Sequence, residues 1–354
     1  QASEASVVIT AGSSAGGGLV GKLHVVDRGG LEPFGTGSFE WADGDGAGLV
    51  GTGDLNGDGR KEVILFRREY RADLDSWFSQ VEVFEVTLIG GIRRLAAAYL
   101  QGVEVPTDQI LPFVGTTDDV DGDGVAEILV AGLVYPYWGP QHGFVRAYRS
   151  VVSSTGSMSL SLVFASDRLD GPGADDGPRL GFAVADLDRD GRAEVVFSAR
   201  ERIHVLDDDG TAFEGWNPPP AVVDGEEVSY GRPAIGDVDR DGELEIVTDR
   251  SPWVQRAMAY ADTCTPDGDG CCPALEGGYP APGVLTAFEL SGEPTPGFQW
   301  RAGGVALGKA PMFGDVDGNG MADLVYVSTR AGQMTALTDQ KRAYPILGEN
   351  VQVW

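Results

Sequence analysis

Acidic side chains crowd into one short stretch of the chain, GDVDRDGELEIV, at residues 236–247. Five acids lie within nine residues, and an apolar run follows them. They are Asp237, Asp239, Asp241 and Glu245, together with Glu243. Carboxylates packed this closely repel one another strongly unless a cation lies among them. The residue types and their spacing therefore indicate a metal-binding loop.

The same pattern occurs five times along the chain and marks an internal repeat. The copies are GDLNGDGRKEVIL from Gly53, DDVDGDGVAEILV from Asp118, ADLDRDGRAEVVF from Ala185, GDVDRDGELEIVT from Gly236 and GDVDGNGMADLVY from Gly314. Their first aspartates are separated by 65, 67, 51 and 78 residues, so the repeats carry insertions of different length. One such copy could be a polar turn. Five copies in one register favour metal binding.

Each copy follows D-[LV]-[DN]-x-[DN]-G-x-x-[DE], a spacing that suits Ca²⁺. Oxygen ligands at positions 1, 3 and 5, a glycine at 6 that permits a sharp turn and a carbonyl at 7 wrap such an ion. The carboxylate at position 9 closes the cage. An EF-hand would close at position 12 and be flanked by helices, so the spacing excludes that motif.

Charge and composition exclude further classes. The 54 acidic and 26 basic residues give a formal net charge of -28, which disfavours nucleic acid and anionic membrane surfaces as partners. No apolar run approaches the roughly 20 residues that a membrane helix requires, so no membrane insertion is predicted. The length of 354 residues and the 42% hydrophobic content allow a sizeable core, in one large domain or two ordinary ones.

Short β-type segments follow every loop. AEVVFSA and RIHVLDDDG come after the third loop, and ADLVYVS and GQMTALTD after the fifth. Apolar alternation broken by Gly, Asp and Asn predicts antiparallel strands, about four in each repeat. Repeated four-stranded units predict an all-β protein, a β-propeller of antiparallel blades.

The loops and their lead-ins, LGFAVADLD and YGRPAIGDVD, resemble FG-GAP or VCBS repeats. Such repeats build the Ca²⁺-bearing propellers of integrin alpha subunits and occur in lectins and secreted bacterial proteins. The resemblance covers about residues 5 to 354. It implies a secreted or cell-surface protein that binds about five Ca²⁺ ions, one in each of its five loops.

The resemblance also implies metal ligands in every copy. The implied ligands are Asp54, Asn56, Asp58, Arg60 and Glu62; Asp119, Asp121, Asp123, Val125 and Glu127; Asp186, Asp188, Asp190, Arg192 and Glu194; Asp237, Asp239, Asp241, Glu243 and Glu245; and Asp315, Asp317, Asn319, Met321 and Asp323. The residue at position 7 contributes its carbonyl. The first and fifth copies replace one carboxylate with an amide, and we expect weaker binding there.

The two ends of the chain complement each other. ASVVITAG and KLHVVD match the second and third strands of a repeat that has no loop, and NVQVW could supply a missing strand. Five loop-bearing blades and this shared blade make six, with seven as the alternative. We therefore predict a single propeller domain over residues 1–354, closed by pairing of the N- and C-terminal strands.

Aromatic residues occur in segments expected on the face opposite the metal loops. The segments are YRADLDSWFSQ, VYPYWGPQHG and the long stretch after Ser251. Their aromatic residues are Tyr70, Trp77, Tyr135, Tyr137, Trp138, Trp253, Tyr260 and Tyr279. Aromatics on loops over a rigid scaffold suit protein or sugar recognition, with packing of the insertions as the alternative. The ligand-binding candidates are Tyr135, Tyr137, Trp138 and Trp253.

Three cysteines, Cys264, Cys271 and Cys272, lie in an insertion at about residues 261–283. In an oxidising compartment Cys264 could form a disulfide with either member of the adjacent pair. Catalytic motifs are absent from the sequence, and His24 and His204 occupy equivalent strand positions, which indicates a structural role.

These features together predict a monomeric, extracellular, Ca²⁺-stabilised propeller. Through the face opposite its loops it would bind a protein or glycan partner, as an adhesion or lectin-like module. The alternative is the propeller of a secreted enzyme, a lyase or hydrolase that acts on polysaccharide.

Overall fold

The computed structural model describes the central part of every repeat. The described residues are 7–15, 18–26, 47–71, 76–86, 92–100, 109–135, 142–154, 157–166, 181–199, 202–219, 222–223, 226–252, 283–305, 311–314, 322–327, 334–337 and 343–345. Contacts divide the chain into two compact units, Gln1–Arg179 and Leu180–Trp354.

All regular elements in these ranges are β-strands, and every pair of neighbouring strands is antiparallel. The all-β class predicted from the sequence is therefore confirmed. The described ranges contain no helix, and hence none that could span a membrane.

The first unit contains three sheets. A hairpin joins β1 (Val7–Ala15) to β2 (Gly18–Val26). The next sheet consists of β3 (Ala47–Gly53), β4 (Glu62–Arg71), β5 (Ser76–Val86) and β6 (Ile92–Tyr99) in that order. The third consists of β7 (Gln109–Asp118), β8 (Glu127–Tyr135), β9 (His142–Val152) and β10 (Met158–Ser166).

The second unit also contains three sheets. One consists of β11 (Phe182–Ala185), β12 (Glu194–Ala199) and β13 (Arg202–Leu206). The largest consists of β14 (Val222–Val223), β15 (Glu226–Tyr230), β16 (Ala234–Gly236), β17 (Glu245–Pro252), β18 (Gly283–Phe288) and β19 (Pro294–Val305), with β15 and β16 both paired to β17. The last consists of β20 (Met312–Gly314), β21 (Asp323–Val327), β22 (Met334–Leu337) and β23 (Ala343–Pro345).

The strand that follows each metal-type loop lies in the middle of its sheet and is apolar on both faces. In β12 all six residues are buried. Strands covered on both faces read as continuous apolar runs, which explains EVVF, EILV and EVIL directly after the acidic motifs. The core of the first unit includes Ile64 and Ile128 from two such strands, and that of the second includes Val196 and Ile246.

The strands that precede the acidic motifs pack against one another within each unit. β3 contacts β7 in the first unit, and β11 contacts β16, which contacts β20, in the second. The Thr117 hydroxyl donates to the Thr52 carbonyl at 2.9 Å, and a Cβ atom on Gly53 would lie 3.0 Å from Thr117. A small residue just before the loop allows this close approach.

The first of the three aromatic segments extends a hairpin. β4 and β5 continue until Tyr70 pairs with Trp77, and only residues 72–75 separate the two strands. In the second segment, β8 ends at Tyr135 and β9 begins at His142, and residues 136–141 lie outside the described residues. The loop prediction was wrong for Tyr70 and Trp77, because aromatic residues favour strands as well as recognition loops. The third segment, residues 253–282, and NVQVW lie outside the described residues.

Candidate metal centres

Each acidic motif connects two strands that pair with each other: β3 and β4, β7 and β8, β11 and β12, β16 and β17, and β20 and β21. The residue before the motif pairs with the acid at position 9, and this pair closes the hairpin. The closing pairs are Gly53 with Glu62, Asp118 with Glu127, Ala185 with Glu194, Gly236 with Glu245 and Gly314 with Asp323. The sheet thus fixes both ends of every loop.

The loop backbone turns sharply at positions 4 and 6. Position 6 is a glycine with φ between 81° and 93° in the four loops whose backbone is described. Nothing lies within 4 Å of a Cβ atom built on these glycines, so the positive φ, and not crowding, requires glycine. Position 4 also has positive φ, and there the third and fourth loops carry Arg189 and Arg240.

The aspartates at positions 1 and 5 organise the loop by accepting backbone hydrogen bonds. In the fourth loop, Asp237 Oδ2 accepts from the Gly242 amide at 3.2 Å, and Asp241 Oδ1 accepts from the Glu243 amide at 2.8 Å. The other three described loops contain the same two hydrogen bonds. Each aspartate keeps further acceptor capacity for a cation.

The acid at position 9 is buried in all five copies. The buried side chains are Glu62, Glu127, Glu194, Glu245 and Asp323. In the four described loops the Oε2 atom of this glutamate accepts from the backbone amide at position 2, at 2.6 to 3.0 Å. One carboxylate oxygen thus anchors the loop, and the other faces the aspartates.

Three loops bring their acids together as the metal hypothesis requires. In each, one oxygen from every member lies within 4.8 Å of the others. The clusters are Asp119, Asp121 and Glu127; Asp186, Asp188 and Glu194; and Asp237, Asp239, Asp241 and Glu245.

Burial raises the pKa of Glu127, Glu194 and Glu245 to about 7. Loss of hydration is the main cause, and the backbone hydrogen bond to each carboxylate partly opposes it. The neighbouring aspartates raise the pKa further. A nearby cation would reverse this effect because it favours the charged carboxylate.

A cation fits best in the third and fourth loops. Asp186 Oδ1 and Glu245 Oε1 are buried and have no hydrogen-bond partner among the described residues. A buried oxygen left without a partner is costly, and a metal ion would satisfy it. In the first loop the corresponding oxygen, Glu62 Oε1, already accepts from Asn56 Nδ2 at 3.1 Å.

The second loop contains a residue that sequence reasoning missed. The guanidinium of Arg149 lies 3.2 Å from Glu127 Oε1 and contacts Asp121. The sequence did contain a signal for Arg149. An apolar residue followed by a charged one recurs downstream of four of the motifs, as Phe84-Glu85, Tyr148-Arg149, Leu206-Asp207 and Phe288-Glu289. Only the second copy has a basic residue there.

Several predicted site residues lie outside the described residues. They are Asp315, Asp317, Asn319, Met321, Tyr137, Trp138, Trp253, Cys264, Cys271 and Cys272. Tyr135 is the last residue of β8. The carbonyls of Arg60, Val125, Arg192 and Glu243 remain predicted ligands. His204 stacks on Phe197 with ring centroids 5.1 Å apart, and this contact fits its expected structural role.

The FG-GAP-like repeat family matches residues 186–248, which begin at the first aspartate of the third loop and end in β17. The chain contains an FG-GAP-like repeat. The resemblance seen in the sequence is therefore confirmed for residues 186–248. Among the described residues, the two loops in which a buried carboxylate oxygen lacks a partner both lie in this matched segment.

A search of curated proteins found no significant match to the sequence. The solved structures that are similar to this chain include two rhamnogalacturonan lyases. The exotype rhamnogalacturonan lyase YesX is 15% identical with a TM-score of 0.38, over 92% of this chain and 65% of that one. The rhamnogalacturonan lyase YesW is 14% identical with a TM-score of 0.43, over 95% of this chain and 60% of that one. The chain thus spans less than two thirds of either protein.

Proposed function

We propose that the FG-GAP-like loops bind Ca²⁺ and that the bound ions stabilise the sheets on which the loops lie. The observation that carries this proposal is the buried Glu245 Oε1 atom, which has no hydrogen-bond partner within the described residues and belongs to a cluster of four carboxylates. Ca²⁺ would supply the positive charge that this cluster lacks.

The donor set favours Ca²⁺ over other metals. The cluster around Glu245 offers only carboxylate oxygens, with no histidine or cysteine among its members. Oxygen donors suit hard cations and are poor ligands for softer transition metals. A loop that offers several oxygens from a flexible backbone suits the larger Ca²⁺ better than Mg²⁺, which demands near-ideal octahedral geometry.

Calorimetry on two matched variants would test this function. After chelator treatment, Glu245→Gln should remove one Ca²⁺-binding event or weaken it by at least about tenfold, because it removes a charged ligand but keeps the side-chain shape. Glu214→Gln makes the same charge change at an exposed residue outside the clusters and should bind as the wild type does. Wild-type protein that takes up no Ca²⁺, or equal binding by all three proteins, would overturn the proposal.

For the whole chain, we propose a single propeller of six blades closed by its N- and C-terminal strands, with seven blades as the alternative. Six antiparallel sheets within the described residues support this proposal. The contacts between strands that precede successive motifs, β3 with β7 and β16 with β20, are also those of radially arranged blades.

We further propose an extracellular location, a monomeric state and a polysaccharide partner. The FG-GAP-like repeat supports the extracellular location. No observation on the described residues supports an adhesion role. An enzyme acting on polysaccharide is therefore the hypothesis to test first, and a binder of protein or glycan is the second.

The choice of polysaccharide follows from the two similar structures, which are rhamnogalacturonan lyases. Purified protein would be incubated with rhamnogalacturonan in Ca²⁺ and in chelator. New double bonds measured by ultraviolet absorbance would support a lyase, and retarded migration without cleavage would support a glycan-binding module. If neither occurs, rhamnogalacturonan is not the partner.

A further inference from the structure

Arg149 lies among the carboxylates of the second loop, where the other loops would need a metal ion. Its Nε atom is 3.2 Å from Glu127 Oε1, and its Nη2 atom contacts Asp121 Oδ2 and lies 3.9 Å from Asp123 Oδ2. One guanidinium therefore faces three of the four motif carboxylates, including the fully buried Glu127. Its fork of N–H donors matches carboxylate geometry well.

Strand register places Arg149 at this point. The β8–β9 pairing ends with Ile128 opposite Tyr148, so the next step sets Glu127 opposite Arg149. The neighbouring Ser150 hydroxyl donates to the Leu55 carbonyl of the first loop, which fixes this part of β9. The guanidinium therefore reaches the loop from β9, which is held by its pairing with β8 and by the hydrogen bond from Ser150 to Leu55.

The same register step carries an acid in the three other described repeats. Glu85 follows the pair Val63–Phe84, Asp207 follows Val195–Leu206, and Glu289 follows Ile246–Phe288. In the fourth repeat this acid adds to the negative charge, since Glu289 raises the pKa of Glu245. In the second repeat the residue at this step is the basic Arg149, whereas the three other described repeats have an acid there.

The hydrogen bonds of the second loop differ accordingly. Glu127 Oε1 accepts from Arg149, whereas the equivalent Glu245 Oε1 has no partner among the described residues. Asp119 Oδ1 accepts from the Asp123 amide at 3.1 Å, whereas Asp186 Oδ1 has no partner in the described part of the chain. The second loop is thus satisfied by the chain itself and contains no buried carboxylate oxygen without a partner among the described residues.

We propose that Arg149 is the built-in cation of the second loop. The loop closes around the guanidinium without Ca²⁺, and the chain binds one ion fewer than its five motifs would imply. This inference rests on the proposed function only in taking the other loops as Ca²⁺ sites.

Two matched glutamate variants give the first test, because neither depends on changing Arg149. Isothermal titration of chelator-treated protein with Ca²⁺ should give the same number of binding events for Glu127→Gln as for the wild type. Glu245→Gln should lose one event. Loss of an event in Glu127→Gln would overturn the inference, while no loss in Glu245→Gln would count against the proposed function instead.

Removal of the guanidinium gives the second test. Arg149→Gln should gain one Ca²⁺-binding event, and the double variant Arg149→Gln/Glu127→Gln should lose that gain. Arg202→Gln makes the same charge change in β13 and should bind as the wild type does. Unchanged stoichiometry in a folded Arg149→Gln protein, or a gain that survives in the double variant, would contradict the role of Arg149.

Thermal melting in chelator supplies a readout that needs no bound metal. Arg149→Gln should melt at a lower temperature than Arg202→Gln, because it leaves Glu127 buried without its counter-charge. Addition of Ca²⁺ should reverse the difference. Equal melting of the two variants in chelator would contradict the inference.

Discussion

At the scale of single residues, the loops depend on a few side chains with strict conformational or charge requirements. The glutamate at position 9 uses one oxygen to anchor the loop and turns the other toward the aspartates. The arginines at position 4 of the third and fourth loops take up the left-handed backbone that the first two loops reserve for Gly57 and Gly122. A side chain in that conformation costs roughly 1 to 2 kcal/mol.

Arg240 offers a direct test of this backbone strain, with φ at 70°. Arg240→Gly should raise the free energy of unfolding by up to about 1 kcal/mol, because glycine adopts the left-handed conformation freely. Arg240→Val should lower it by about 1 to 3 kcal/mol, since β-branched residues fit this region poorly. Urea denaturation in chelator measures both. A valine variant as stable as the glycine variant would contradict the assigned conformation.

At the scale of elements, sequence and structure agree where the information is local. Each motif places its acids within nine residues, so the spacing alone identified the candidate ligands and the strand that follows. Arg149 was missed because it meets Glu127 only through the register of β8 and β9, about 20 residues apart in the chain. The Tyr70 segment was misjudged because nothing in its composition separates an aromatic loop from an aromatic strand end.

The packing of β16 against β20 gives a prediction at this scale. A Cβ atom on Gly236 would lie 2.7 Å from the Phe313 ring, whereas one on Gly314 would have nothing within 4 Å. Gly236→Ala should therefore lower the free energy of unfolding by about 1 to 3 kcal/mol through overpacking. Gly314→Ala is the matched control, at the same place before the next motif, and should stay within about 0.5 kcal/mol of the wild type.

Replacement of Phe313 by a smaller residue shows whether its ring causes the loss of stability in Gly236→Ala. Phe313→Leu in the Gly236→Ala background should recover part of the lost stability, because the smaller side chain makes room for the added methyl group. If the two alanine variants are equally stable, β16 and β20 do not pack as closely as the structure indicates.

At the scale of the whole molecule, the candidate Ca²⁺ loops are distributed unevenly between the two units. Both loops with an unpartnered buried oxygen in the described residues, at Asp186 and Glu245, belong to the unit Leu180–Trp354. The unit Gln1–Arg179 contains the loop satisfied by Arg149 and the loop in which Asn56 donates to Glu62. Dependence on the metal should follow the same division.

Removal of Ca²⁺ should therefore destabilise the second unit more than the first. A ligand at 100 times its dissociation constant contributes about 2.7 kcal/mol at each site by mass action, so a chelator should lower the melting temperature. Hydrogen exchange locates the effect. In chelator, the amides of β12 and β17 should lose protection, whereas those of β8 should change little, because the loop beside β8 receives a counter-charge from Arg149. Equal loss of protection in β8, β12 and β17 would mean that the guanidinium of Arg149 does not substitute for the metal ion.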